Sequence, residues 1–172
     1  MVKRMACALA AAALIVGVSG GTASAEEQSP WTPYEQPDVT APAGTACDFE
    51  VFSHAVRDHE RYRVTETYPD GSHKREEWTG LLVVKFTNTE TGKSVVRNLT
   101  GRGDFVYGQD GSWSLRLIGG HFAAYLHPGD DPDPGIYVVT GHGYVVSADA
   151  SGHRVLTEGN GRMENLCETL AS

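Results

Sequence analysis

Beyond its first 25 residues this sequence is short of the residues on which much protein chemistry is built. Cysteine is nearly absent. Cys47 and Cys167 remain once Cys7 is set aside, and no Cys-x-x-Cys occurs, which argues against a thiolate metal site or a redox dithiol. Long apolar runs are missing: the longest after residue 25 is Phe122–Leu126, well short of the roughly 20 residues that a membrane-spanning helix needs. Positive charge is scarce. Without Lys3 and Arg4, 12 basic residues face 22 acidic ones, a net of −10, and a field of that sign repels nucleic acid and anionic lipid. Familiar catalytic motifs fail as well. There is no Gly-x-Ser-x-Gly elbow. Gly92-Lys93-Ser94 has Thr87 where a P-loop needs glycine, and His59-Glu60 meets Arg63 where a zinc-protease helix needs its second histidine. Asp130, Asp131 and Asp133 are interrupted by Pro132 and Pro134, and His142 stands where a calcium loop needs its closing glutamate. The expectation is a protein with no cofactor, no metal, no catalytic set, no nucleic acid partner and no membrane contact.

What is present begins with an export signal over residues 1–25. Lys3 and Arg4 precede an apolar stretch from Met5 to Val18, and Ala23-Ser24-Ala25 is a small-residue cleavage site. The expected location is therefore extracellular, with a mature chain from Glu26. An isolated cysteine pair in an exported chain predicts a disulfide between Cys47 and Cys167.

Residues 26–46 hold Pro30, Pro33, Pro37 and Pro42 and lack alternation, so they are expected to form a disordered linker. From Cys47 the pattern changes. Asp70-Gly71 and Asp110-Gly111 are hairpin turn signals. Around them apolar residues alternate: Trp78, Leu82, Val84 and Phe86 share one face, and Trp113, Leu115 and Leu117 share another, with Ser114 and Arg116 opposite. Gly92-x-x-Val95-x5-Gly101-Arg102 recurs as Gly152-x-x-Val155-x5-Gly161-Arg162, each copy following a Thr-Gly pair, Thr79-Gly80 and Thr140-Gly141. About eight to nine short antiparallel strands over residues 47–170 predict an all-β domain. A single small β-barrel is expected, with a two-sheet β-sandwich as the alternative.

Cys47-x-Phe49-x-Val51, Asn98-Leu99-Thr100-Gly101-x-Gly103 and the closing Cys167 resemble a group of uncharacterised secreted actinobacterial proteins. The resemblance covers roughly residues 47–170. It implies a small barrel of the lipocalin or allene-oxide-cyclase and dirigent type by analogy of fold, which carries no activity.

The remaining signal is aromatic. Trp78, Phe86, Phe105, Tyr107, Trp113, Tyr125 and Tyr144 are spread over several strands. In a barrel they are expected to point into the lumen, where a small apolar ligand can be held. Glu66, Glu76 and Glu77 read as exposed strand charges. The expected function is that of a secreted, non-enzymatic binder of a small apolar molecule. The alternatives are a dirigent- or cyclase-like barrel enzyme and an extracellular interaction module with a filled core.

Overall fold

The computed structural model describes residues 29–171; the predicted export signal lies outside them. The described chain is all-β, as the alternation predicts. Its elements are β1 (Thr32–Tyr34), β2 (Val39–Ala41), β3 (Val51–Thr67), β4 (His73–Asn88), β5 (Ser94–Asn98), β6 (Gly101–Tyr107), β7 (Trp113–Leu126), β8 (Gly135–His142), β9 (Val145–Ala148), β10 (Arg154–Thr157), β11 (Asn160–Asn165) and the short helix α1 (Leu166–Ala171). All strand pairs are antiparallel, in the order β1-β3-β4-β6-β7-β8-β11. β2 adds to β3, β5 to β4, and the β9–β10 hairpin to β7.

The sheet does not close into a barrel, which corrects the expected closure. β1 and β11, at the ends of the path, share no strand hydrogen bonds. The layered arrangement is compatible with the two-sheet alternative. One reason is the length of β3, β4 and β7. Each serves two sets of neighbours, so one strand belongs to two parts of the sheet. The N-terminal half of β7 pairs with β6 and β9, and its C-terminal half pairs with β8. Where the sequence suggested short strands, β3 runs for 17 residues, with a register shift between Ala55 and Arg57 that breaks the alternation.

β8 is buried on both faces from Gly135 to Val139. Ile136 and Val138 enter one core with Val51, Val84, Phe86, Leu166 and Leu170. Tyr137 and Val139 enter a second core with Leu117, Phe122, Tyr144, Val146 and Leu156. A continuous apolar strand of this kind is what burial on two sides requires. Asn165 caps α1 through a bond from the Cys167 N–H to its Oδ1 (3.0 Å). The cap sets Cys167 against Cys47, with Cα atoms 5.3 Å apart in the bonded pair. The predicted disulfide thus ties the chain entering β3 to α1.

The linker expectation is overturned for the described part of residues 26–46. β1 pairs with Arg61 and its neighbours in β3, β2 pairs with Val51 to Ser53, and Ala41 and Ala46 are buried. Pro33 sits on the edge strand β1, where its missing N–H breaks no ladder.

Candidate functional site

The site is built from rows of cross-strand neighbours. One row runs Tyr34, Glu60, Gly80, Gly101, Gly120, Gly141, Gly161 across β1, β3, β4, β6, β7, β8 and β11. The next runs Thr32, Tyr62, Trp78, Gly103, Leu117, and a third runs Val64, Glu76, Phe105, Leu115, Val146. The glycines of the first row stand where backbones approach closely, and a Cβ at Gly80 would meet the His59 carbonyl at 2.4 Å. Beside Glu60, with Gly101 and Gly103 in its wall, lies a cavity of about 270 Å³. Its walls include Tyr34, Trp78, Leu82, Leu99, Phe105, Leu115, Leu117 and Phe122, and its polar groups come from Gln36, Glu60, Thr79, Arg102 and His121.

Glu60 is the acidic residue of that wall. No hydrogen bond or ion pair of the described residues engages its carboxyl. Burial, and then the neighbouring Asp58 charge, push its pKa up to about 7. Asp58 itself accepts bonds from the backbone N–H groups of Gln36 and Glu60 (2.5 and 2.9 Å). Burial, Glu60 and Asp58 likewise push the Tyr34 phenol up. Tyr34 meets Trp78 edge-on, centroids 4.9 Å apart, and Tyr62 stacks on Trp78 at 5.0 Å. His121 shares a bond between its Nδ1 and Thr140 Oγ1 (2.9 Å).

Beside the cavity lies a second polar feature. Glu76 is only 3% exposed, so it is not the exposed strand charge that the alternation suggested. Trp78 Nε1 donates to it (2.7 Å), Tyr107 Oη donates (2.9 Å), and His73 Nδ1 lies 2.6 Å away. Burial and then the Glu76 bond raise the Tyr107 phenol above its ordinary range. These bonds explain the burial: a carboxylate leaves water only when its acceptors are filled. They also fix the indole that walls the cavity. Glu77 pairs with Arg63, and Glu66 sits exposed between Lys74 and Arg75.

The seven aromatic residues expected in one lumen are divided. Trp78 and Phe105 line the cavity. Tyr107 lines an adjoining open recess with His73 and Glu76. Trp113 packs half-buried on Phe105 (5.3 Å) and the second core, while Arg116 is exposed, as alternation predicted. Phe86 and Tyr125 belong to the first core, and Tyr144 to the second. Since the sheet stays open and β8 splits the interior, no single lumen collects them. Sequence reasoning missed Tyr34, Gln36 and Glu60. Tyr34 and Gln36 lay in the supposed linker, and the signal for Glu60 was a charge directly opposite a glycine.

Among the described residues, no group of three or more His, Cys, Asp and Glu side chains is placed to hold a metal ion, and no helix is long and apolar enough to cross a membrane. Comparison with protein families, curated proteins and solved structures finds no match.

Proposed function

We propose that this is a secreted, non-enzymatic binding domain that takes a small ligand with an apolar body into the cavity between β1, β3, β4, β6 and β7. The observation that carries the reading is the cavity itself. Side chains from five strands surround an empty space, and most of its wall is aromatic or aliphatic. Empty apolar space of this kind costs packing energy, and a ligand that fills it recovers contact. A volume near 270 Å³ suits a compound of one or two rings.

Titration with 1-naphthylamine, a two-ring probe that is neutral at pH 7 and whose fluorescence shifts in apolar surroundings, tests the reading. Saturable binding is expected, weakened at least about tenfold by Ala123→Phe, which places a ring in the cavity wall; a tenfold loss corresponds to about 1.4 kcal/mol. A wild-type protein that binds no such probe would defeat the proposal.

One observation favours a second reading. A carboxyl near 7 beside an apolar cavity is suited to proton transfer near neutral pH. An enzyme of the dirigent or cyclase kind would use Glu60 as its acid or base. Native mass spectrometry of protein purified from its own medium separates the two: a retained compound of unchanged mass supports binding, and a chemically altered one supports turnover.

A further inference from the structure

We propose that the ligand of this cavity is an organic cation, an amine with an aromatic or aliphatic body, and that Glu60 is its counter-ion. The proposal rests on the reading of the cavity as a ligand site and adds the charge of the occupant.

The charges around the cavity select the occupant. Glu60 faces the cavity with no partner from the described residues for its carboxyl. The basic residues nearby are directed elsewhere. Arg61 and Arg63 lie over the Trp31 ring, 5.0 and 4.9 Å from its centroid, and Arg63 also pairs with Glu77. Around Glu60, β3 supplies Asp58, whose negative charge acts on it, and β1 supplies the Tyr34 phenol. From β4 come Trp78 and Thr79, which carry no charge. From β6 and β7 come Arg102 and His121, which border the cavity. Neither hydrogen-bonds nor ion-pairs with the Glu60 carboxyl. The site therefore combines an unneutralised carboxyl with the rings of Tyr34 and Trp78. An aromatic wall attracts a cation through the ring quadrupole, and a carboxylate removed from bulk water holds one through a charge-assisted hydrogen bond. An anion would meet Glu60 and Asp58 together. A neutral ligand would leave the carboxyl to protonate.

Binding of a cation must then be linked to protons. Glu60 is largely protonated below about 7, and a cation beside it favours the ionised form, so binding releases a proton there and tightens as pH rises.

The experiment is calorimetric titration of the mature protein with benzylammonium, benzyl alcohol and benzoate, probes of nearly one shape and three charges. Near pH 8 benzylammonium is expected to bind at least about tenfold more tightly than benzyl alcohol, with benzoate weakest. Glu60→Gln is expected to reduce that preference to about twofold or less while benzyl alcohol binding persists. In the wild type near pH 6, titration in two buffers of different ionisation heat is expected to show protons released with benzylammonium and none with benzyl alcohol. Equal affinity for cation and alcohol, or a preference that survives in Glu60→Gln, would overturn the cation assignment and leave the cavity reading standing. Absence of binding by all three probes would overturn both.

Discussion

Four glutamates, Glu60, Glu66, Glu76 and Glu77, occupy neighbouring strands, and their surroundings separate them. Glu66 is exposed between two cations, Glu77 pairs with Arg63, Glu76 is enclosed by three bonding partners, and Glu60 meets a cavity. Glu76→Ala would leave the Trp78 indole N–H and the Tyr107 hydroxyl without their acceptor. The expected loss is about 3 kcal/mol or more, with a shift in Trp78 emission; Glu66→Ala, at an exposed and solvent-screened pair, should leave the denaturation midpoint nearly unchanged. Chemical denaturation of the two variants checks the contrast. For Glu60 the sign follows from linkage. Its folded pKa, about 7, lies above the ordinary 4.5, so the native state holds the proton more tightly. That contribution is complete below about 4.5 and is lost as pH rises through about 7. Glu60→Gln removes the dependence, so its melting temperature relative to wild type should rise between pH 5.5 and pH 8. Sequence periodicity could place these glutamates on strands. It could not separate them, because the partners that decide the matter, such as Tyr107 for Glu76, come from other strands.

At the scale of elements, turn chemistry was the most legible feature. Asp70-Gly71 and Asp110-Gly111 stand where expected, between β3 and β4 and between β6 and β7, each Asp carboxyl accepting from the backbone N–H two residues on. Strand existence from β3 onward followed from alternation, and strand length did not, because the register shift in β3 and the glycines within β4 and β7 interrupt the pattern without ending the strand. β1 and β2 were illegible for a different reason. Three-residue strands set among prolines show no period, and what holds β1 is contact with distant residues: Tyr34 with Trp78, and Trp31 with Arg61 and Arg63. The consequence reverses what a linker would predict. Deleting residues 29–38 removes β1, uncovers the edge of β3 and takes Tyr34 and Gln36 from the cavity wall. The truncated protein is expected to melt several degrees lower and to bind the naphthylamine probe at least about tenfold more weakly, as thermal scans and fluorescence titration would show.

Across the whole molecule, the weak sequence repeat acquires a structural meaning. Thr79-Gly80 lies opposite Gly101-Arg102, and Thr140-Gly141 lies opposite Gly161-Arg162 in the same register. Gly92 and Gly152 turn the hairpins between them, β4–β5 and β9–β10. The two units meet through Gly120, whose neighbours are Gly101 on one side and Gly141 on the other. Five glycines in one row let adjacent backbones approach closely: an added Cβ at Gly80, Gly101, Gly120, Gly141 or Gly161 would stand within 2.6 Å of a backbone oxygen of the neighbouring segment. The disulfide, across 120 residues, binds the ends of the core, with a chain-entropy contribution of about 4–5 kcal/mol. The close approach is a property of the row rather than of glycine content, and one dipeptide tests this. At Gly120, with φ +104°, an added Cβ would stand 2.5 Å from the Thr100 carbonyl oxygen and 2.7 Å from the Gly101 Cα. Those are backbone atoms of the neighbouring strand, which retreat only if β6 and β7 separate. At Gly119 a Cβ meets nothing within 4 Å, and the backbone is not left-handed. Gly120→Ala is therefore expected to cost at least about 3 kcal/mol, or to prevent folding, whereas Gly119→Ala should change stability by less than about 1 kcal/mol. Urea unfolding of the two single variants decides it, and equal costs would show that close backbone approach is not what requires glycine in this row.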